Sequence, residues 1–285
     1  MSFGTVAILG PGLIGGSLAL AIAERGLADK LVIYSRKDGS FPAIRKKLPH
    51  AHLTTDSSEA VRDADIVVLC VPIETMADLV KKFVDALKPT ALVTDVGSVK
   101  ESVDREIAPL LANKALWIGS HPMAGSEQAG FVAARANLFV GAKVILTHTG
   151  INSSEAQAKP RAEEFWQKLG ASTFQIPPFQ HDKAVAHISH LPHLVAAALV
   201  NAASEDYYRI AGSGFRDTTR VASGSPDLWT EIIWDNREKI AAALSSLISE
   251  LKRAEQDLKG NDKTPLHKFL QHAQDQRSKL PKPNP

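Results

Sequence analysis

The stretch Thr5–Leu20, TVAILGPGLIGGSLAL, decides the fold. Val6–Leu9 is a short apolar run of a length suited to a buried strand. Gly10, Gly12 and Gly15 follow as G-x-G-x-x-G, and Ser17–Glu24 continues as an Ala- and Leu-rich helix with Gly26 as its stop. Strand, glycine turn and helix in that order form a dinucleotide-binding fingerprint. Gly10 permits the tight turn, Gly12 lets the backbone approach a pyrophosphate, and Gly15 lets the helix lie close to the strand. The helix start at Leu13 and Ile14 then offers N–H groups and a positive dipole end to phosphates.

Outward from this unit, Leu31–Tyr34 reads as the second strand. The acidic residue that holds an adenosine ribose is expected about 20 residues past the last glycine. Ser35 stands there, followed by Arg36 and Lys37. A carboxylate would repel a 2′-phosphate, whereas Ser35 and Arg36 suit one, so the pattern favours NADP and leaves NAD possible. The competing reading is a solvated basic loop. Asp65–Pro72, DIVVLCVP, is a further strand, with Val71 and Pro72 at its cofactor-facing end. Strand patterns at Ala91–Val96, Leu116–Gly119, Lys143–Thr147 and Ser172–Ile176 alternate with helical ones at Thr75–Leu87, Ser102–Leu111 and Ala162–Leu169. That alternation predicts an α/β Rossmann-type domain, doubly wound and mostly parallel, over residues 1–178.

After Pro177-Pro178 the strand signal all but ends. His187–Ala203 is apolar at helical spacing, Ser225-Pro226 reads as an N-cap with proline behind it, and one long helix is expected from Asp227 to Leu258. Pro265 breaks the pattern and Leu266–Ala273 forms a last helix. Residues 179–279 thus form an all-helical domain for substrate binding and dimerisation, and the tail 280–285, LPKPNP, reads as disordered. No internal repeat is apparent.

The totals fit this plan. A chain of 285 residues suits two domains, and 44% hydrophobic with 22% charged residues is ordinary for a globular protein. A net charge of +2, from 33 basic and 31 acidic residues, supplies no broad field for nucleic acid or an anionic membrane. The first residues run straight into a strand, leaving no signal peptide, and the apolar stretches fall short of a membrane span. The single cysteine, Cys70, forms no internal disulfide and reads as a core thiol, so a cytoplasmic protein is expected.

Two polar clusters follow strand ends, where ligands bind in such sheets: Asp95–Lys100 and Ser120–Glu127. His121, in a Gly/Pro-rich turn after a strand, is placed to take a proton from a hydroxyl as hydride leaves the same carbon. The bland alternative is a loop histidine capping a carbonyl. His187, His190 and His193 in HISHLPH share one helical side, but no cysteine or carboxylate completes a zinc set, so no metal is expected. Arg216 and Arg220 in GSGFRDTTR suit bidentate carboxylate capture, with ordinary surface ion pairs an equal alternative.

The motifs GPGLIGGS, TDVGSVK, GSHPMAGSE, SHLPH and GFRDTTR, in this order and spacing, resemble the prephenate/arogenate dehydrogenases of tyrosine biosynthesis over roughly Thr5–Ala273. The resemblance implies an NAD(P)-dependent oxidative decarboxylation in which hydride leaves the hydroxyl-bearing ring carbon, carbon dioxide leaves the opposite one, and the ring becomes aromatic. It implies that His121 accepts the hydroxyl proton with Ser98 orienting the pair, that Arg220 binds a substrate carboxylate, and that His181, His190, His193 and Arg216 line the rest. It further implies a small-molecule substrate, and prephenate over arogenate, since His193 stands where some arogenate-preferring members carry an apolar residue. A homodimer through the helical domain is expected instead from the long apolar helical face after Asp227, for which filling the domain's own core is the alternative. A β-hydroxyacid dehydrogenase, which relies on a helical-domain lysine, and a non-catalytic NADP sensor are the rival readings.

Overall fold

The central strands of the first domain are apolar on both faces because they are covered on both faces. A computed structural model describes residues 2–125, 128–149 and 155–280. Strand β1 (Thr5–Leu9) leads to helix α1 (Leu13–Glu24), β2 (Lys30–Tyr34), α2 (Phe41–Lys47), β3 (His52–Thr54) and α3 (Ser57–Val61). Then come β4 (Ile66–Leu69), α4 (Ile73–Phe83), β5 (Leu92–Asp95), α5 (Glu101–Leu111) and β6 (Leu116–Trp117). The six strands pair in parallel in the order β3-β2-β1-β4-β5-β6, the doubly wound arrangement expected. Ile8, Ile33 and Val68 join the core on one face with Leu18 and Ile22 of α1, while Leu9, Val67 and Val93 join the other with Val80, Phe83 and Ile107. Continuous apolar strands are the signature of a sheet buried on both sides.

The chain departs from the single expected sheet at Ile118. Strand β7 (Gly119–Pro122) leaves the parallel sheet and pairs antiparallel with β8 (Lys143–Thr147). After α6 (Glu155–Lys168), β9 (Ser172–Gln175) pairs parallel with β8, which completes a three-stranded second sheet. His121 therefore lies within a strand, opposite Ile145, and not in the turn the sequence suggested. Buried Ser120 joins the two sheets: its Oγ lies 2.7 Å from Thr94 Oγ1 of β5 and accepts from Trp166 Nε1 of α6 at 3.1 Å.

The second domain is helical throughout its described residues. Helix α7 (Pro178–Val185) passes through a π-helical turn, Ala186–His190, into α8 (Leu191–Ala202). Then follow α9 (Ser213–Thr219), a 3₁₀ turn at Arg220–Ser223, α10 (Pro226–Asp235), α11 (Arg237–Lys259) and α12 (Thr264–Ser278). Ser225 caps α10 as expected, its Oγ accepting from Leu228 N–H at 3.5 Å. The single helix expected from Asp227 is instead two, parted at Asn236, whose side chain is drawn into the interior. The continuous helical run Pro178–Ala202 is, by length and composition, apolar enough to cross a membrane, against the sequence expectation. Its His181, Asp182 and His190 side chains are buried and hydrogen-bonded within the fold, so one face of the run packs into this domain. The expected disordered tail lies, past Leu280, outside the described residues.

Candidate active site

The glycine turn is built as its spacing demands. Gly10 has φ +107°, and a Cβ there would stand 2.5 Å from the Cys70 carbonyl oxygen. A Cβ at Gly15 would lie 2.1 Å from the Gly10 carbonyl oxygen, so α1 crosses β1 at a distance only glycine allows. At Gly12, by contrast, a Cβ would meet nothing within 4 Å. That open ground lies before the α1 N-terminus, which has no side-chain cap and no acidic residue in its first turn. The N–H groups of Leu13 and Ile14 belong to this uncapped turn, and such a terminus favours an anion. Ser35 and exposed Arg36 follow β2, and Val71 and Pro72 follow β4, so all these positions share the carboxyl edge of one sheet. The residues present fit a dinucleotide. Cys70 is partly buried beside them, with burial and the Asp95 carboxylate pushing its thiol well above the usual range.

His121 is fixed by residues of the other domain. Its Nδ1 lies 2.8 Å from His181 Nε2, and His181 Nδ1 lies 2.7 Å from Asp182 Oδ1. The same carboxylate accepts from the Lys100 N–H at 2.8 Å through Oδ1 and the Glu101 N–H at 2.9 Å through Oδ2, which caps the start of α5. These bonds hold the Asp182 carboxyl below its usual range although burial alone would raise it. An ionised carboxylate only accepts, so His181 carries its proton on Nδ1 and exposes a lone pair at Nε2. His121 must then donate from Nδ1, and its Nε2 is left as the basic atom. Burial first, then the neighbouring His181 and Lys100, lower the His121 pKa well below 6.5, so the ring is neutral near pH 7. Burial likewise lowers His181.

Beneath this chain lies a fully buried ion pair, Lys100 with Asp95. Asp95 also accepts from the Gly97 N–H at 2.7 Å and the Ser120 N–H at 3.0 Å, and Lys100 Nζ donates to the Ser120 carbonyl at 2.9 Å. The pair thus fixes the loop 96–99 and the strand that carries His121, and breaking such a pair is far more costly than its formation is favourable. Ser98 sits in that loop, half-buried, and its side chain makes no hydrogen bond to His121. The partner seen for the imidazole is His181.

The three histidines of HISHLPH part company. His187 is exposed. His190 is fully buried, with Nδ1 3.1 Å from Asn236 Nδ2, and desolvation lowers its pKa to about 4. His193 stacks on Trp229 with ring centroids 3.6 Å apart, and burial lowers it too. Among the described residues, His190 Nε2, His193 Nδ1 and Asn236 Oδ1 are buried with no hydrogen-bond partner. Each such orphan costs about 1–3 kcal/mol, and three together mark ground for a polar ligand. The turn starting at Arg220 passes the same wall, since a Cβ at Gly224 would lie 3.1 Å from His193 Cε1. Arg220 is exposed at its start, and Arg216, also exposed, donates from Nε to the Ala211 carbonyl at 3.3 Å. Lys183, the lysine a β-hydroxyacid mechanism would need, is exposed on α7. Sequence reading gave no part to Asp182, Asn236 or Trp229; the adjacent His-Asp pair opening the second domain was the available signal for the first.

Comparison with known proteins agrees with this geometry. Residues 18–175 match the family "Prephenate dehydrogenase, nucleotide-binding domain" and residues 177–272 match "Prephenate dehydrogenase, dimerization domain". The chain is 32% identical over 284 residues to a prephenate dehydrogenase of Bacillus subtilis, spanning 97% of this chain and 76% of the relative. Prephenate dehydrogenase from A. aeolicus, solved with hydroxyphenyl propionate and NAD+, superposes with a TM-score of 0.89 at 28% identity, covering 99% of each chain. Synechocystis arogenate dehydrogenase superposes at 0.79 with 34% identity, covering 98% of this chain and 99% of that one. The chain is a dehydrogenase of the prephenate dehydrogenase family.

Proposed function

We propose that the protein oxidises prephenate with loss of carbon dioxide to give 4-hydroxyphenylpyruvate. The observation that carries this reading is the chain Asp182–His181–His121, which leaves one neutral imidazole nitrogen as the base of the site. A bound nicotinamide would supply the hydride acceptor, held by the Gly10–Gly15 turn and the start of α1. His121 Nε2 takes the ring hydroxyl proton as the hydride departs, and the imidazolium so formed is stabilised through His181 by the Asp182 carboxylate. The carboxyl carbon leaves as carbon dioxide, its bonding electrons aromatise the ring, and the resulting phenolate recovers the proton from His121. Arg220 and Arg216 hold carboxylate oxygens of the dianionic substrate, with His193 and His190 as neutral donors. Ser98 orients the hydroxyl toward His121.

NADP is the preferred cofactor in this reading, because Ser35 and exposed Arg36 stand where a ribose-binding carboxylate would be. Exposed Ile188, Leu199, Ile248 and Leu251 on α11 and the π-α8 helix support a homodimer through the helical domain. A lone thiol kept protonated suits a reducing cytoplasm. Arogenate is the second reading, favoured by the 34% identity to the Synechocystis enzyme. The test is the absorbance of reduced nicotinamide on mixing prephenate, arogenate or a β-hydroxyacid with NADP or NAD. Prephenate is expected to react fastest, and with NADP. Arg36→Ala should weaken NADP far more than NAD; equal weakening would remove the 2′-phosphate argument. Silence with every substrate would leave a nucleotide sensor.

A further inference from the structure

Asn236 ends α10, and its amide reaches two groups of the α7–α8 region at once. Its Nδ2 lies 2.8 Å from the Asp182 carbonyl oxygen and 3.1 Å from His190 Nδ1. A backbone carbonyl only accepts, so the amide must turn its nitrogen, not its oxygen, to this side. Its two N–H bonds then have one acceptor each. His190 Nδ1 receives the second and must carry a lone pair, so the neutral ring holds its proton on Nε2. That Nε2 is buried and has no partner among the described residues, and it belongs to a ring set edge-on to Trp229, whose face stacks on His193. The π-helical turn that ends at His190 is itself a local departure of the kind found at functional sites.

We propose that Asn236 is a positioning residue, fixing His190 as the Nε2–H tautomer so that this N–H meets an oxygen of the bound substrate as a neutral donor. The substrate half of this statement rests on the proposed function; the tautomer half does not. Ring-¹⁵N-histidine labelling of the full chain, with His190→Gln to assign the signal, reads the tautomer in the free protein. Nε2–H is expected, and Nδ1–H in the wild type would overturn the proposal without any variant. Asn236→Asp offers an acceptor where the amide donated, so His190 should move its proton to Nδ1 or become cationic. The KM for prephenate should then rise about tenfold or more, as for loss of one hydrogen bond to a charged group, with the cofactor KM unchanged. His190→Gln keeps an amide N–H near the place of Nε2, and in that background Asn236→Asp should add less than about twofold. An unchanged tautomer in Asn236→Asp, or full additivity in the double variant, would overturn the positioning role. A wild type that turns over neither prephenate nor arogenate would remove the proposed function, and the free-protein spectrum would still decide the tautomer.

Discussion

Replacing Asp182 by asparagine should disable the base of the site without touching the base itself. The carboxylate accepts three bonds, from Lys100 N–H, Glu101 N–H and His181 Nδ1. An amide has one oxygen and one nitrogen, so one edge must now donate. If the nitrogen takes the place of Oδ2, it meets the Glu101 N–H donor to donor. If it takes the place of Oδ1, it faces both the Lys100 N–H and His181 Nδ1. His181 then accepts at Nδ1 and moves its proton to Nε2, and His121 must accept from it at Nδ1. The His121 proton is thereby shifted onto Nε2, the atom that has to be basic. In this second orientation the base is lost; a general base is worth about 10²–10⁴-fold, and kcat should fall within that range. Loss of the charge-assisted bonds and one mismatched N–H should also lower stability by about 2–4 kcal/mol. Steady-state turnover with saturating prephenate and cofactor, alongside thermal melting, reads both. A folded Asp182→Asn enzyme whose ring-¹⁵N signals place the His181 proton on Nε2, yet whose kcat stays within about threefold of wild type, would refute the tautomer argument.

Other outcomes follow from the same geometry. His121→Asn should lose most turnover while dinucleotide affinity, read by fluorescence titration, stays nearly unchanged. Gly15→Ala sets a methyl 2.1 Å from the Gly10 carbonyl oxygen and should destabilise the first domain by about 1–3 kcal/mol and weaken dinucleotide binding, checked by urea melts and titration. Acid should destabilise the fold earlier than carboxylate protonation explains. Below pH 6.5 the unfolded chain takes up a proton that folded His190, with its pKa near 4, refuses, so stability is lost as pH falls through that window. The loss approaches about 3 kcal/mol from this residue alone, and buried His121 adds to it in the same direction. Urea midpoints that stay level from neutral pH down to about pH 4 would contradict this.

The sequence made the first domain legible because its central strands are apolar on both faces and are punctuated by glycine or proline, so length and composition alone marked Val6–Leu9 and Asp65–Val71. It concealed the passage from β6 to β7, because Leu116–Gly119 reads as one strand whichever sheet receives its two ends. The parting of α10 from α11 was hidden for a similar reason. An asparagine is tolerated in an exposed helical pattern, and nothing local shows that Asn236 is drawn inward by a carbonyl 54 residues away. His121 was found as a candidate base from its chemistry, although its setting was misjudged. Its true partner, His181, is 60 residues distant and is held in turn by Asp182; the adjacent His-Asp pair was visible in the sequence, but nothing local tied it to His121.

The boundary between the two domains divides the proton machinery as well. The base belongs to β7 of the first domain, and the pair that selects its working nitrogen stands a few residues beyond the junction at Pro177-Pro178. A chimera joined at that junction, with this nucleotide-binding half grafted onto a foreign helical half, would hold dinucleotide yet inherit an imidazole of undefined polarity. Residues 178–185 must therefore travel with the donor half, and the natural cut for recombination lies past Val185.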